Sequence, residues 1–347
     1  MEKKLEEKRR KIKILYISNS YVVFVKKDID ILRKYFEVEF LKYRGFMSII
    51  CFIFTLLLKI RNIDVIFCRF ASTHAFFAVL FSKIFRKKSI VVVGGFDIAN
   101  IPEINYGFAR SPLTRFLLRF TINNADRVLP LSEALKKDIF NNVGRVRGGN
   151  IEVVPNGYDT KKWKPAGKKE RLVITVCGEL NETICKRKGI EVFIQAARYL
   201  PDVEFVVIDK KTKYSRKLEE NAPKNVKFVS VPTQSKELLR YYQKAKVYCQ
   251  LSRYEGHPNA LSEAMLCECV PVGTKYGGIP EVIGDTGFYV PYGDAKATAE
   301  AIKKALNSDK GKEARKRIET LFPLERRETA LFNIVHKLLG GEHEKLS

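Results

Sequence analysis

Two glutamates, Glu255 and Glu263, stand eight positions apart in a stretch whose pattern is strand, loop and helix. Residues 245–251 are β-branched and aromatic, a Gly-His-Pro turn follows, and apolar residues then recur at helical spacing. The helix is predicted to begin near Asn259, a residue type that caps N-termini well. Such a helix end favours an anion, most often a phosphate. Because carboxylates repel phosphate, the two glutamates are expected to bind hydroxyls instead, such as those of a ribose and a second sugar.

The residues around these glutamates read EGHPNALSEAM, followed by VPVGTKYGGIPEVI. They resemble the E-x7-E region of the retaining, nucleotide-sugar-dependent glycosyltransferases of family four. The spacing alone is not specific, because a glutamate in a first helical turn is favourable for dipole reasons; the surrounding residues carry the resemblance. It implies that Glu255 is a catalytic residue on the donor sugar and that Glu263 binds the ribose. It also implies that the loop and first helical turn bind the donor phosphates through Gly256, His257, Pro258, Asn259, Ala260 and Leu261.

A second basic stretch, CGELNETICKRKG, lies between a strand and a helix at residues 177–189. The family pattern has an arginine directly after the glycine of the strand and a lysine just before the next helix, both on the donor diphosphate. Lys188 matches the lysine, whereas Glu179 stands at the arginine position. Arg187 or Lys186, on the longer loop, would restore the charge. A solvated lysine in a basic run is the alternative interpretation of Lys188.

The acceptor side of the site is predicted in the first half of the chain. Gly94 and Gly95 follow a buried strand pattern, where glycines permit close approach of a ligand. Family members often have His-Gly-x-Asp here, and only Asp97 aligns with it. The resemblance implies a catalytic Asp97, and a loop-capping aspartate is the alternative. His74 is placed on the acceptor side too, with a helix-start histidine satisfied by backbone as the alternative.

No metal site and no cofactor are expected. The four histidines are dispersed, and Asp28-Ile29-Asp30 lies on a predicted surface helix, where both carboxylates are interpreted as solvated. The seven cysteines lack paired spacing and are interpreted as reduced thiols. The resembled fold stabilises a leaving diphosphate with a helix N-terminus and cations instead of a divalent ion.

Strand and helix patterns alternate along the chain, which predicts parallel sheets whose ligand crevice lies at the carboxyl ends of the strands. The resemblance implies the GT-B fold, in which two doubly wound Rossmann-like domains face each other across a cleft. The boundaries follow as an acceptor-binding domain at 1–165, a nucleotide-sugar-binding domain at 166–320, and a helix at 321–347 that returns to the first domain. Residues 151–154 are predicted as the last strand of the first domain, and 155–169 as the hinge.

The chain carries a net charge of +24, and two-thirds of that excess lies in residues 1–165, which hold 31 Lys/Arg against 15 Asp/Glu. Such a charge suits an anionic partner, namely a lipid surface, a phosphorylated acceptor or nucleic acid, and the alternative is a solubilising surface. Residues 1–11 are interpreted as a charged, solvated arm and not as a secretory signal. The apolar run 46–58 is too short to span a bilayer but is apolar nearly all round. It is predicted to lie on the membrane, and serine at Phe52 and Leu56 would test this.

The sequence thus predicts a retaining glycosyltransferase of the hexosyltransferase type. Its partners would be a nucleotide sugar, a lipid-linked or membrane-adjacent glycan acceptor and an anionic membrane surface, with no nucleic acid. Its location would be cytoplasmic, at the cytosolic face of the membrane. Two alternatives stay open: a sugar-nucleotide epimerase of GT-B architecture, and an inactive polyanion-binding protein with the same fold.

Overall fold

The computed structural model describes residues 11–45 and 48–340, which form two α/β domains. The first domain contains a five-stranded parallel sheet in the order β2-β1-β3-β4-β5. Its strands are β1 (Lys13–Ser18), β2 (Glu37–Lys42), β3 (Val65–Arg69), β4 (Lys88–Val93) and β5 (Arg127–Pro130). Its helices are α1 (Val23–Arg33), α2 (Ile49–Ile60), α3 (Thr73–Ile84), α4 (Pro112–Asn124) and α5 (Glu133–Asp138), with a 3₁₀ turn at Pro102–Ile104 and a π-helix at Ile139–Val143.

The second domain contains a six-stranded parallel sheet in the order β11-β10-β9-β6-β7-β8. Its strands are β6 (Glu170–Gly178), β7 (Glu204–Asp209), β8 (Val226–Ser230), β9 (Ala245–Gln250), β10 (Val270–Gly273) and β11 (Phe288–Tyr289). Its helices are α6 (Glu182–Lys188), α7 (Ile190–Ala197), α8 (Lys213–Glu220), α9 (Lys236–Lys244), α10 (Asn259–Leu266), α11 (Ile279–Ile283), α12 (Ala295–Leu306) and α13 (Gly311–Leu321). The last helix, α14 (Leu324–Leu338), follows directly.

Both sheets are covered by helices, and their strands are therefore apolar on both faces, as parallel sheets require. In β6, Val173 packs into one core of the second domain and Ile174 into the other, on the opposite face of the sheet. The first domain has one core around its sheet. The predicted fold class, two doubly wound domains facing across a cleft, is confirmed by this architecture.

One local prediction differs from the structure. Residues 151–154 make only an isolated bridge, Val128 with Ile151, because the chain leaves the sheet edge for the second domain. The short helices α6 and α8 were not predicted. Charged residues dominate both, so neither shows the apolar residues at helical spacing that indicate a helix. Most of the predicted arm at 1–11 and the first two positions of the apolar run, 46 and 47, lie outside the described residues.

Helix α14 packs in the core of the first domain through Leu331, Phe332 and Val335. Its Arg327 donates two hydrogen bonds to Asp28 of α1, Nε to Oδ1 at 2.7 Å and Nη2 to Oδ2 at 2.8 Å. Arg69 Nη1 donates to the same carboxylate at 2.8 Å. Asp28 is therefore buried at the centre of an ion cluster, and its interpretation as a solvated residue is wrong. The error arose because Arg327 lies 299 positions away in the sequence.

Helix α2 has one buried apolar face and one exposed apolar face, as its sequence, which is apolar nearly all round, requires. Phe52, Leu56 and Ile60 are buried against the sheet. The opposite side exposes a stripe of three large apolar side chains: Ile50 (80% exposed), Phe54 (64%) and Leu58 (63%). Phe52 and Leu56 are thus core residues, and a test of the outer surface belongs at positions 54 and 58. No helix among the described residues is long and apolar enough to cross a membrane.

Candidate active site

Glu255 lies in the loop between β9 and α10, and its carboxylate is ion-paired. Its Oε1 accepts hydrogen bonds from Arg187 Nη1 at 2.8 Å and from Ser252 Oγ at 3.0 Å, and Lys188 Nζ lies 3.6 Å away. Burial alone would raise the pKa of this carboxyl, but Arg187 and Lys188 outweigh it and hold the pKa below its usual range. Glu255 is therefore ionised at neutral pH. Its Oε2 accepts no hydrogen bond from the described part of the chain and is free for a sugar hydroxyl.

The basic stretch at residues 177–189 places two cations, Arg187 and Lys188, beside Glu255. Its acidic residue, Glu179, lies outside the site. Arg187 is buried, and its Nη1 also donates to the carbonyl of Tyr254 at 3.0 Å. Lys188 Nζ donates to the carbonyl of Val176 at 3.1 Å. Glu179 is exposed and lies 3.5 Å from Lys210. The structure thus brings Arg187 and Lys188 together on Glu255, and Glu179 points into solvent.

Glu263 is buried in the second turn of α10 and has much weaker partners than Glu255. Its Oε1 accepts one hydrogen bond, from Gln234 Nε2 at 2.7 Å. Burial raises the pKa of Glu263 to about 7, against the weaker opposing effects of Lys27, Gln234 and Lys162. A carboxyl in this state gains from hydroxyl donors such as those of a ribose, because they replace the water that burial removed.

The N-terminus of α10 faces the same space. Its N-cap is Pro258, which provides no side-chain cap, so the prediction that Asn259 caps the helix is wrong. The backbone N–H groups of Asn259, Ala260 and Leu261 consequently have no intrahelical acceptor. The Asn259 side chain instead accepts from Asn156 Nδ2 and Tyr158 OH, both at 3.1 Å, and so ties the helix to the hinge.

His257 contributes its backbone and not its ring to the loop. Its Nδ1 lies 2.8 Å from Tyr158 OH, and the ring packs edge-on against Phe322. Burial lowers the pKa of His257 to about 3, with a smaller effect of Arg327 in the same direction, so the ring is neutral. The imidazole is a packing group behind the site, although the sequence placed His257 among the donor-binding residues.

The two domains touch at a set of glycines. A Cβ on Gly256 would lie 2.1 Å from the carbonyl oxygen of Gly94, and a Cβ on Gly95 3.3 Å from the nitrogen of Gly256. A Cβ on Gly278 would lie 2.0 Å from the carbonyl oxygen of Gly256. Gly94 and Gly95 therefore allow close approach of the other domain's backbone, where the sequence had suggested a ligand.

Asp97 secures this contact loop. Its carboxylate is buried and accepts from the backbone N–H groups of Ala71 at 2.9 Å, Gly94 at 3.1 Å and Gly95 at 2.7 Å. Burial raises the pKa of Asp97, against the opposing effect of these amides. With both oxygens occupied by backbone donors, the geometry favours the loop-capping interpretation over a catalytic one.

His74 does not face the cleft. Its side chain is fully buried, with Nδ1 2.9 Å from Ser72 Oγ and Nε2 3.0 Å from the carbonyl of Arg69. Burial lowers the pKa of His74 to about 4. Both ring nitrogens are occupied within the first domain, so this is a helix-start histidine satisfied locally and not an acceptor-side residue.

Both domains line one cavity of about 280 Å³ in the cleft. The first domain contributes Phe24 and Lys27 from α1, neither of which was selected from the sequence. The second contributes Gln234, Asn259 and Glu263. The described residues contain no cluster of three or more His, Cys, Asp or Glu side chains that could hold a metal ion.

Comparison with known families agrees with this geometry. Residues 9–162 match the family described as Glycosyltransferase Family 4, and residues 158–320 match the family described as Glycosyl transferases group 1. Together these regions contain every element that lines the cleft. By sequence and fold, the chain is similar to glycosyltransferases of family 4, and each of the two family models covers a little under half of it.

Two curated relatives illustrate the sequence similarity. The α-maltose-1-phosphate synthase of Mycolicibacterium smegmatis is 28% identical over 213 residues, which is 55% of each chain. A Campylobacter jejuni N-acetylgalactosamine-N,N'-diacetylbacillosaminyl-diphospho-undecaprenol 4-α-N-acetylgalactosaminyltransferase is 23% identical over 253 residues, 69% of this chain and 67% of that protein. The match thus spans about half the length of the first relative.

Solved structures share the fold at low identity. A sucrose-phosphate synthase from Thermosynechococcus elongatus superposes with a TM-score of 0.80 at 17% identity, covering 94% of this chain and 99% of the other. Anabaena Alr3699/HepE in complex with UDP and glucose superposes with a TM-score of 0.78 at 17% identity, covering 94% and 100%. These likenesses establish the GT-B fold.

Proposed function

We propose that this protein is a retaining glycosyltransferase that moves a sugar from a nucleotide-diphospho-sugar to a glycan acceptor. The observation that carries the proposal is the pairing of two unlike carboxylates around one uncapped helix N-terminus. Glu255 is ionised with a free Oε2, and Glu263 is buried with a single hydrogen bond. Family resemblance and the UDP and UDP-glucose complexes of Anabaena Alr3699/HepE support the same donor class.

Each group has a distinct role in this proposal. Glu263 accepts hydrogen bonds from the ribose, the free N–H groups at the start of α10 bind phosphate, and Glu255 Oε2 accepts from a donor-sugar hydroxyl. Arg187 and Lys188 lie beside Glu255, where they offset negative charge on the departing diphosphate. Since Glu255 is held in an ion pair, it is better suited to orient the sugar than to attack it. This supports attack by the acceptor from the leaving-group side, without a covalent protein intermediate.

The acceptor side of the proposal concerns the membrane. Ile50, Phe54 and Leu58 form an exposed apolar stripe on α2 in the domain that carries most of the excess positive charge. Arg61, just after the end of the helix, is exposed, and Lys59 is partly exposed and pairs with Glu39. A helix that presents an apolar stripe and a basic end to solvent can bind at an anionic lipid surface. The Campylobacter relative, whose name contains a diphospho-undecaprenol, supports a lipid-linked acceptor.

Donor turnover tests the reaction. The protein is incubated with UDP-, GDP- and ADP-sugars, and free nucleoside diphosphate is measured. Release of nucleoside diphosphate supports a transferase, and a changed sugar on an intact nucleotide supports the epimerase. Absence of both reactions, together with binding of polyanions, supports the inactive binder.

The variant Glu255→Gln should lower turnover while nucleoside diphosphate still binds. Glu237→Gln, an exposed glutamate at the start of α9, is the control. Equal loss of nucleotide binding in Glu255→Gln and Glu263→Ala would disprove the division of roles.

Vesicle co-sedimentation tests the membrane. We expect binding to anionic vesicles that weakens as salt rises, because exposed charges are screened. The double variant Phe54→Ser and Leu58→Ser should bind less, whereas Tyr199→Ser, which removes an exposed aromatic ring in the second domain, should not change binding. If the wild type stays in the supernatant under all conditions, the stripe on α2 belongs to a protein partner.

A further inference from the structure

Two cations, Lys27 and Lys210, line the cleft cavity, and Lys210 pairs with Glu179 at 3.5 Å. Three further cations near the two glutamates already have acceptors. Arg187 and Lys188 are engaged by Glu255 and by backbone carbonyls. Lys162 Nζ donates to Gln234 Oε1 at 2.7 Å and to its carbonyl at 3.3 Å. These three side chains are thus held by the second domain and the hinge.

Lys27 is the exception among these five cations. It projects from α1 of the first domain and lines the cavity opposite Glu263. Among the described residues its Nζ has neither a hydrogen-bond acceptor nor an acidic partner within 4.0 Å, and it lies over the Tyr158 ring, 5.4 Å from the centroid. Burial lowers the pKa of Lys27, against the attraction of Glu263. A partly buried ammonium without an acceptor is costly unless a ligand provides one.

The charge of the expected donor identifies that ligand. Both phosphates of a nucleotide sugar are negative, whereas Glu255 cancels one of the two charges of Arg187 and Lys188. The loop after β6 adds an acid, Glu179, and this glutamate lies 3.5 Å from Lys210, the other lysine that lines the cavity. Lys27 shares its cavity with Glu263, the proposed ribose ligand, and with Asn259 and Ala260 at the start of α10. A diphosphate attached to that ribose would therefore pass the Lys27 ammonium.

We propose that Lys27 is a donor-binding residue of the first domain, whose ammonium binds the diphosphate of the nucleotide across the cleft. The inference rests on the proposed function and adds to it a cation that neither the E-x7-E region nor the basic stretch at 177–189 contains. One consequence is mechanical. A donor held by Glu263 on one domain and by Lys27 on the other joins the two domains for as long as it is bound.

The chain offers a matched control in the neighbouring residue. Lys26 has the same side chain on the same helix but points outwards, where it pairs with Asp30 at 2.6 Å and is 60% exposed. Comparing Lys27→Ala with Lys26→Ala therefore separates a contact in the cleft from general loss of positive charge. Lys27→Arg keeps the positive charge and tests whether the exact position of that charge matters.

The experiment compares a nucleoside diphosphate with its own nucleoside. Of UDP, GDP and ADP, the one that the wild type binds most tightly is titrated by calorimetry, and the matching nucleoside by ligand-detected NMR. Lys27→Ala should lower the affinity for the nucleoside diphosphate roughly ten- to a hundredfold, which is the effect of losing a hydrogen bond to a charged group. Nucleoside affinity should stay within about threefold, Lys26→Ala should match the wild type, and Lys27→Arg should retain most of the affinity.

Three results would overturn the inference. Unchanged diphosphate affinity in Lys27→Ala would show that the phosphates are held elsewhere. An equal loss of affinity for the nucleoside and for the nucleoside diphosphate would show that Lys27 acts by packing or through Glu263. Either result leaves the proposed function standing, provided that the wild type binds a nucleoside diphosphate. If the wild type binds none of the three, the proposed function fails and the inference fails with it.

Discussion

The two glutamates of the site occupy opposite electrostatic environments only eight residues apart. Glu255 is surrounded by donors and cations, and its pKa lies below the usual range. Glu263 is more deeply buried, has one amide donor, and has a pKa of about 7. The difference follows from local structure. Glu255 lies in a loop that meets the basic end of α6, whereas Glu263 projects from the middle of a buried helix towards the cavity.

This contrast separates a preorganised charge from a group that awaits its ligand. The ion pairs of Glu255 are made within the protein and fix the carboxylate before any substrate binds. The environment of Glu263 is incomplete until hydroxyl donors arrive. The predictions below test the contrast, beginning with the largest effect.

Removing Arg187 should be the most damaging change to stability. In Arg187→Leu the buried carboxylate of Glu255 loses its nearest cation, and breaking a buried ion pair from one side costs about 3–5 kcal/mol. We expect the free energy of unfolding to fall by an amount near the lower limit of this range, because Lys188 remains 3.6 Å from Glu255. Urea denaturation measures it, with the exposed Arg198→Leu as control. A loss below about 1 kcal/mol would place this pair with ordinary surface ion pairs.

The pH dependence of stability should differ between the two glutamates. The pKa of Glu263 is raised from an ordinary 4.5 to about 7 by folding, so the folded protein binds the proton more tightly than the unfolded chain. Its contribution to stability is therefore full below pH 4.5 and is lost as pH rises to about 7, by roughly 3 kcal/mol. The lowered pKa of Glu255 acts in the opposite sense, and its contribution is lost as pH falls.

The variant Glu263→Gln isolates the first of these effects. It should be more stable than the wild type above pH 7, and the difference between the two proteins should shrink as pH falls towards 4.5. Stability curves at several pH values, measured on both proteins, provide the test. A difference that does not depend on pH would contradict the raised pKa.

Nucleotide affinity should depend on Glu263 more than on Glu255. Glu263→Ala removes a carboxylate that accepts ribose hydroxyls, and hydrogen bonds to a charged group contribute about 1.5–3 kcal/mol, or roughly ten- to a hundredfold in affinity. Thermal shift against UDP, GDP and ADP detects this, since a ligand at a hundredfold excess over its Kd stabilises by about 2.7 kcal/mol. Unchanged affinity in a folded variant would refute the assignment of Glu263 to the ribose.

Local patterns in the sequence were sufficient to predict the parallel sheets, and the family resemblance implied the GT-B fold and the roles of the two glutamates. Strand and helix periodicities reflect burial on each face, and such patterns are written in neighbouring residues. The electrostatic partners were not predictable in this way. Arg327 reaches Asp28 across 299 positions and Arg187 reaches Glu255 across 68. Asp97 shows the same limit: its sequence context suggested catalysis, and only the fold reveals the backbone amides that occupy it.

The smallest effect should come from Gln234, which provides the one hydrogen bond that Glu263 receives from the described residues. Gln234→Ala removes a neutral donor from a carboxyl that is already poorly solvated. We expect a loss of about 0.5–1.5 kcal/mol at neutral pH. As pH falls below about 7 the loss should diminish, because the protonated carboxyl of Glu263 depends less on a donor. Gln243→Ala, which removes an exposed amide bonded to the Lys164 carbonyl, is the matched control. If Gln234→Ala instead costs as much as Arg187→Leu, then Glu263 is as firmly held as Glu255, and the contrast between a preorganised and a waiting carboxylate fails.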